Sequence, residues 1–234
     1  MIQVENLKKV YGGRTVLQVP ALEIGKGESF GLVGNNGAGK TTFFRLVLDL
    51  IHADGGRVLS LGTDVSQSED WKNYTASYLD EGFLIDFLTP REYFMFVARL
   101  NNLSRGDVEQ FTGSLHGFFG DDILAEKNYL RELSKGTQKK VGIAAALMVE
   151  PDVLLLDEPF SNLDPTSQFQ LKKILKEFQE KKQVCMLISS HDLNHVTEVC
   201  KRIVVLHEGE MVHDLETNEN TLKQLEAFFA VKGD

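Results

Sequence analysis

The chain has 234 residues, 42% of them hydrophobic and 25% charged, with a formal net charge of −9 and a pI near 5.2. This length and apolar share sustain one large domain, or a core with a lobe inserted into it, and exclude a disordered or fibrous chain. Binding to duplex DNA or RNA needs a positive footprint, so no nucleic-acid partner is expected for so acidic a chain.

In chain order, residues 1–33 read as strands. Ile2, Val4 and Leu7 alternate loosely, and strand-like segments at 15–24 and 29–33 follow, set apart by Gly12-Gly13 and by the glycines at 25 and 27. A glycine-rich turn at 34–39 leads into an apolar helical stretch at 41–50. Strands are expected at 57–61 and 75–79. Residues 83–131 then change character: Tyr93, Phe94, Val97 and Leu100, followed by Phe111, Leu115 and Phe118, recur at helical spacing, as in an inserted helical lobe. Strand-helix alternation resumes with a helix at 138–149, a strand at 152–156, a helix at 166–181, a strand at 184–189, a helix at 193–200 and a strand at 203–206. The runs VLLL, VCMLI and IVVL are unbroken and apolar, as strands of a parallel sheet covered on both faces are. The tail, 210–234, ends in a helix expected at 221–231.

The N-terminal stretch has no signal-type apolar segment, and the longest apolar runs, 143–149 and 153–156, fall short of the ~20 residues needed to cross a bilayer. The chain is therefore expected to be soluble by itself and to reach a membrane only through a partner. Cys185 and Cys200 lack CxxC spacing and zinc-type histidines, and are expected as buried, reduced thiols.

Two motifs carry chemistry on their own. GNNGAGKTT, residues 34–42, matches GxxxxGK[ST] between a strand and a helix. Its glycines let backbone N–H groups turn inward around phosphate oxygens, and the following helix points its positive end at the same anion. Gly34, Asn35, Asn36, Gly37, Ala38, Gly39, Lys40, Thr41 and Thr42 are thus expected to bind nucleotide, with Lys40 on the β- and γ-phosphates and the Thr41 hydroxyl on Mg²⁺. VLLLDEP, residues 153–159, is a buried strand ending in two acids. Asp157 suits Mg²⁺, and Glu158, one residue on and projecting the other way, suits polarising an attacking water. These motifs indicate a nucleotide phosphohydrolase or transferase. No NKxD segment suggests a GTPase, and no phosphoacceptor signature suggests a small-molecule kinase.

LSKGTQKK, residues 133–140, resembles the ATP-binding-cassette (ABC) signature LSGGQxQR. SNLD at 161–164 looks like that family's D-loop, and SSHD at 189–192 like its switch-histidine segment. Five ordered motifs carry the resemblance along nearly the whole chain. It implies an α/β fold: a P-loop NTPase core of RecA type with a mostly parallel sheet, an N-terminal antiparallel β subdomain and an inserted α-helical subdomain. The expected boundaries are 1–82 and 137–215 for the core with its β subdomain, 83–136 for the helical subdomain and 216–234 for a C-terminal helix.

The resemblance also implies a head-to-tail dimer of cassettes, a homodimer by expectation, closing on two ATP molecules with Mg²⁺. Ser134 and Gly136 match positions that touch the opposite γ-phosphate, and Ser134 is also a good helix cap. Lys40, Glu158 as general base and His191 as γ-phosphate contact form the expected catalytic set. Tyr11 matches the aromatic that stacks on adenine. Lys135 and Thr137 depart from the signature. Glu81 stands where the family usually has glutamine; it is the third expected metal contact, after Thr41 and Asp157, and looks similar to exporter-type relatives. The implied role is the ATP-hydrolysing subunit of a transporter, on the cytoplasmic face of a membrane and driving a separate permease, with export the expected direction. A soluble ABC-type ATPase in cofactor assembly is the alternative.

Overall fold

The computed structural model describes residues 1–231, so the last three residues of the expected C-terminal segment lie outside the described residues. In chain order the elements are β1 (Ile2–Tyr11), β2 (Arg14–Ile24), β3 (Ser29–Val33), α1 (Lys40–Val47), β4 (Gly55–Ser60), β5 (Thr63–Asp64), β6 (Thr75–Tyr78), α2 (Pro90–Leu100), α3 (Arg105–Ser114) and α4 (His116–Phe119). They continue with α5 (Lys135–Met148), β7 (Val153–Leu156), α6 (Pro165–Lys182), β8 (Cys185–Ser190), α7 (Leu193–Val199), β9 (Arg202–His207), β10 (Glu210–Glu216) and α8 (Thr221–Val231).

The ten strands of the described residues lie in one sheet, in the order β5-β4-β1-β2-β10-β9-β3-β8-β7-β6. From β9 to β6 every pairing is parallel. From β5 to β2 every pairing is antiparallel. The expected parallel core and antiparallel N-terminal part are therefore halves of one mixed sheet. They are joined by β10, which runs antiparallel to β9 and meets β2 in a single parallel pair, Glu210 opposite Gln18.

The apolar runs are unbroken because the parallel half has a core on each face. Side chains alternate along a strand, so Leu154, Leu156, Met186, Ile188, Ile203 and Val205 enter one cluster. Val153, Leu155, Cys185, Leu187, Val204 and Leu206 enter the other. The first cluster also holds Phe94, Val108 and Phe118 from α2, α3 and α4, so the helical lobe shares its core with the sheet. The second holds Phe43 and Phe44 of α1. Leu100, expected on the apolar stripe, is 68% exposed at the end of α2.

Local chemistry sets the helix ends. Ser134 caps α5 by accepting from the Thr137 N–H, so the helix starts three residues before the expected 138. Asp164 caps α6 by accepting from the Ser167 N–H, with Pro165 in the first turn. Helix α1 stops at Val47, short of the expected 50, and Asp49 turns the chain at φ 48°. Strand β10 is not foreshadowed by an apolar run: its residues are half-buried or exposed. Both cysteines are free and buried, and burial pushes the Cys185 thiol up to about 12.

Candidate active site

The loop from β3 to α1 is shaped by close backbone approach. A Cβ on Gly34 would stand 2.3 Å from the Leu206 carbonyl oxygen of β9. Gly39, at φ 108°, is the N-cap of α1 and offers no side-chain cap. The first N–H groups of α1 thus keep their donors free of intrahelical partners, at the positive end of the helix dipole. Asn35, Asn36 and Gly37 are exposed and Thr42 is half-buried, whereas Ala38 is buried and its carbonyl accepts from the Gly209 N–H at 3.0 Å.

Lys40 is buried, and an ammonium in that position needs acceptors. Its Nζ donates to the Gly34 carbonyl at 2.7 Å and to the Asn35 carbonyl at 3.4 Å, and lies 3.3 Å from Glu158 Oε1. That oxygen is buried and completes no hydrogen bond. One residue further on, the Thr41 hydroxyl donates to Asp157 Oδ2 at 2.6 Å. The Ser189 hydroxyl donates to Asp157 Oδ1. Burial raises the Asp157 carboxyl above its ordinary value against the opposing pull of these two hydroxyls.

Asp157 and Glu158 do not project to opposite sides as strand alternation suggested. Strand β7 ends at Leu156, and Glu158 lies in the left-handed region at φ 47°, a conformation uncommon outside glycine. The turn brings Asp157 to Thr41 and Glu158 to Lys40. Glu158 Oε2 is 2.9 Å from His191 Nδ1. A carboxylate only accepts, so Nδ1 carries the proton in this pair and Nε2 is the acceptor of the neutral ring.

The remaining expected residues stand apart from this cluster. Glu81 accepts from the Tyr78 hydroxyl at 2.9 Å and lies 4.0 Å from Lys139 Nζ. No hydrogen bond or ion pair joins Glu81 to Thr41 or Asp157 among the described residues. Ser134 spends its oxygen on the Thr137 N–H and hydroxyl. A Cβ on Gly136 would come within 2.9 Å of the Asn162 carbonyl, so the glycine lets the 161–164 loop pass close to α5. Tyr11, at the end of β1, is 50% exposed with Lys9 Nζ 5.1 Å from its ring centre.

Two residues of the site lie inside the quoted motifs but receive no role from the sequence. Ser189 joins Asp157 to the Glu158 backbone, accepting from the Glu158 N–H at 3.0 Å. Its signal is a hydroxyl pair closing an apolar strand. Lys139 is 4% exposed and donates to the Glu158 carbonyl at 2.8 Å and to the Ser161 hydroxyl at 2.6 Å.

A parallel sheet, a glycine loop feeding a helix N-terminus, a buried lysine and strand-end acids around it define the P-loop NTPase class. A family model described as ABC transporter matches residues 17–161. The chain belongs to the ABC transporter family. It is 34% identical to an uncharacterized ABC transporter ATP-binding protein of Synechocystis, over 82% of this chain and 54% of the relative. It is 32% identical to the bacitracin transport ATP-binding protein BcrA of Enterococcus faecalis, over 94% of this chain and 70% of the relative. It is likewise 32% identical to the methionine import ATP-binding protein MetN of Carboxydothermus hydrogenoformans, over 92% and 66%. The chain thus spans between about half and about 70% of the length of these relatives. A solved ATP-binding subunit of an ABC transporter superposes with a TM-score of 0.82 at 26% identity, covering 100% of this chain and 95% of that one. The cassette MJ0796, solved as a dimer in a post-hydrolysis state with ADP and Pi, shares the fold with a TM-score of 0.82 at 22% identity, covering 93% of this chain and 99% of that one.

Proposed function

We propose that this chain is the ATP-binding and ATP-hydrolysing subunit of an ABC transporter, working as a dimer of cassettes on a separate membrane permease. The observation that carries the reading is the convergence of Lys40, Thr41, Asp157, Glu158 and His191 at the N-terminus of α1. The reaction is ATP + H₂O → ADP + Pi. The backbone of residues 34–42 and the α1 dipole hold the phosphates, and Lys40 exchanges its carbonyl partners for phosphate oxygens. Thr41 and Asp157 offer hard oxygen donors 2.6 Å apart, which fit Mg²⁺. When bound, that ion neutralises charge on the β- and γ-phosphates. Glu158 takes the proton of the attacking water, oriented by His191. Glu81 has its carboxylate on Tyr78 and Lys139, so it reaches a metal only by leaving both.

Tyr11, exposed at the end of β1, stacks on adenine. Ser134 and Gly136, with the N-terminus of α5, face the γ-phosphate held by the second cassette, a copy of this chain; the MJ0796 cassette, of the same fold, is itself dimeric. Residues 83–136 form the helical subdomain and the permease contact, supported by exposed Phe83 and Phe87, with 1–82 and 137–215 as the core and 216–234 as a C-terminal appendage. No helix among the described residues is long and apolar enough to cross a membrane; the permease holds the subunit on the cytoplasmic face. Glu81, as in exporter-type cassettes, supports export. The likeness to a methionine import protein supports import as a second reading.

The test is phosphate release by the purified chain together with a pull-down from host membranes using tagged Glu158→Gln with ATP. We expect hydrolysis by the wild type, and co-purification of a polytopic membrane protein with the variant. Soluble partners alone would sink the transporter reading in favour of an assembly ATPase. Absence of hydrolysis by every form, permease-bound included, would sink the enzymatic one.

A further inference from the structure

Lys139 is a buried cation that the hydrolytic cluster does not explain. It lies on α5, one turn inside the helix, and is only 4% exposed. Its ammonium donates to the Glu158 carbonyl and to the Ser161 hydroxyl. The Ser161 hydroxyl itself donates to the same Glu158 carbonyl at 2.9 Å, so three groups close a small ring behind Glu158. On the other side of that residue the Glu158 N–H donates to Ser189.

Glu158 is thus gripped at its N–H and at its C=O, and these grips hold a non-glycine residue at φ 47°. Such a conformation persists only where the surroundings over-determine it. The consequence lies in the side chain: the turn aims the carboxylate between Lys40 and His191. A relaxed Glu158 backbone would carry it elsewhere.

A lysine so deep needs a counter-charge, since a lone buried ammonium is costly. Glu81 is that charge, with Oε1 4.0 Å from Lys139 Nζ and its position fixed by the Tyr78 hydroxyl. Tyr78 in turn stands over Lys139, its ring centre 5.9 Å from Nζ, and its own carbonyl accepts from the Asp157 N–H. Burial pulls the Lys139 pKa below that of an ordinary lysine, and Glu81 is the strongest of the charges opposing that pull. Glu81 begins the short turn that leads from β6 toward the helical lobe.

We propose that Lys139 is a positioning residue for Glu158 and that Glu81 is its dedicated counter-ion, an acid-base pair linking the entrance of the helical lobe to the backbone of the hydrolytic turn. This rests on the assignment of Glu158 as the general base. It gives a physical reason for a carboxylate at position 81: the acid balances a lysine on α5 instead of ligating metal. A displacement of Glu81 by a partner at the lobe would strip Lys139 of its counter-charge and loosen the grip on Glu158.

The experiment compares the full-length wild type with Lys139→Gln, Glu81→Gln and the double variant Glu81→Gln/Lys139→Gln. Phosphate release gives kcat and KM, and a slowly hydrolysed ATP analogue gives binding. Lys139→Gln should lower kcat about 100-fold, the scale of a misplaced catalytic group, while analogue binding moves less than about 2-fold. Glu81→Gln, a substitution at a partly exposed side chain whose folding is checked by a thermal melt, should lower kcat about 10-fold. The double variant keeps the neutral amide donor of Lys139→Gln at position 139 and removes the carboxylate that the single variant leaves unpaired. It should recover at least about 10-fold over Lys139→Gln alone, a coupling that a merely structural lysine would not give. Either single variant holding kcat within about 2-fold of wild type, a double variant no better than the product of the singles, or losses that follow analogue binding instead of kcat would overturn the pair. A wild type that binds the analogue yet releases no phosphate, permease-bound form included, would sink the hydrolase reading instead. Each variant outcome above needs an active wild type, so the two failures are distinct.

Discussion

The phosphate end of the site and its outward-facing parts are built in opposite ways. Lys40, Thr41, Asp157, Glu158, Ser189 and His191 are joined to one another by hydrogen bonds and a short ion pair within a single chain. Among the described residues no hydrogen bond or ion pair joins Tyr11 or Ser134 to them: one is exposed on a hairpin, the other is occupied as a helix cap. Under the proposed function, the groups assigned to hydrolysis are joined within one chain, while the residues assigned to adenine stacking and to a second cassette face outward. That division separates chemistry, set by the fold, from timing, set by association.

The sharpest way to break this comparison is Glu158→Gln. Phosphate release should fall by about 10²–10⁴-fold, the usual weight of a positioned general base, with nucleotide binding retained. Ser134→Ala should cost far less; equal losses would mean that the outward-facing half is as integral to the chemistry as the inner one. Next comes Gly34→Ala, whose new Cβ meets a backbone carbonyl that cannot swing aside. It should destabilise the fold by about 1–3 kcal/mol in denaturant unfolding.

Asp157→Asn tests preorganisation from the other direction. Burial holds the Asp157 carboxyl above its ordinary 3.8, so the folded chain keeps a proton that the unfolded chain gives up. The stability this group contributes is therefore full below 3.8 and is lost as pH rises through the interval above it. Nucleotide-free Asp157→Asn should melt higher than wild type at neutral pH, with the advantage shrinking as pH falls toward 3.8. A constant or reversed difference would show that the carboxylate is not destabilising in place. Smaller effects close the series. Ser134→Ala should cost about 1 kcal/mol of stability through loss of the cap, and Tyr11→Ala should stay within about 0.5 kcal/mol in thermal melts while weakening nucleotide binding.

What was legible in the sequence follows from how local each cause is. Strands β7, β8 and β9 declare themselves because both of their faces are covered, which forces apolar residues at consecutive positions. The loop at 34–42 declares itself because glycine and lysine are chemically necessary there. Strand β10 has no such signature: it is held by backbone pairing to β9, and its side chains carry no alternation that marks a strand. The course of Glu158 was unreadable for a related reason. Period-two alternation holds only inside a strand, and β7 ends two residues earlier. Lys139 reads as one more charge on a helix until folding brings Glu81 and Glu158 to it from separate segments.

The closure of the sheet through β10 has a consequence for synthesis. The phosphate-binding loop is encoded near residue 34, yet the carbonyl that Gly34 packs against belongs to Leu206 and the N–H that fixes Ala38 belongs to Gly209. At ribosomal speeds of about 5–20 residues per second, the loop leaves the peptidyl-transferase centre about 10–35 s before its last supports are made. A nascent chain therefore carries a recognisable nucleotide-binding sequence before it has the residues at 206–209 that support the loop.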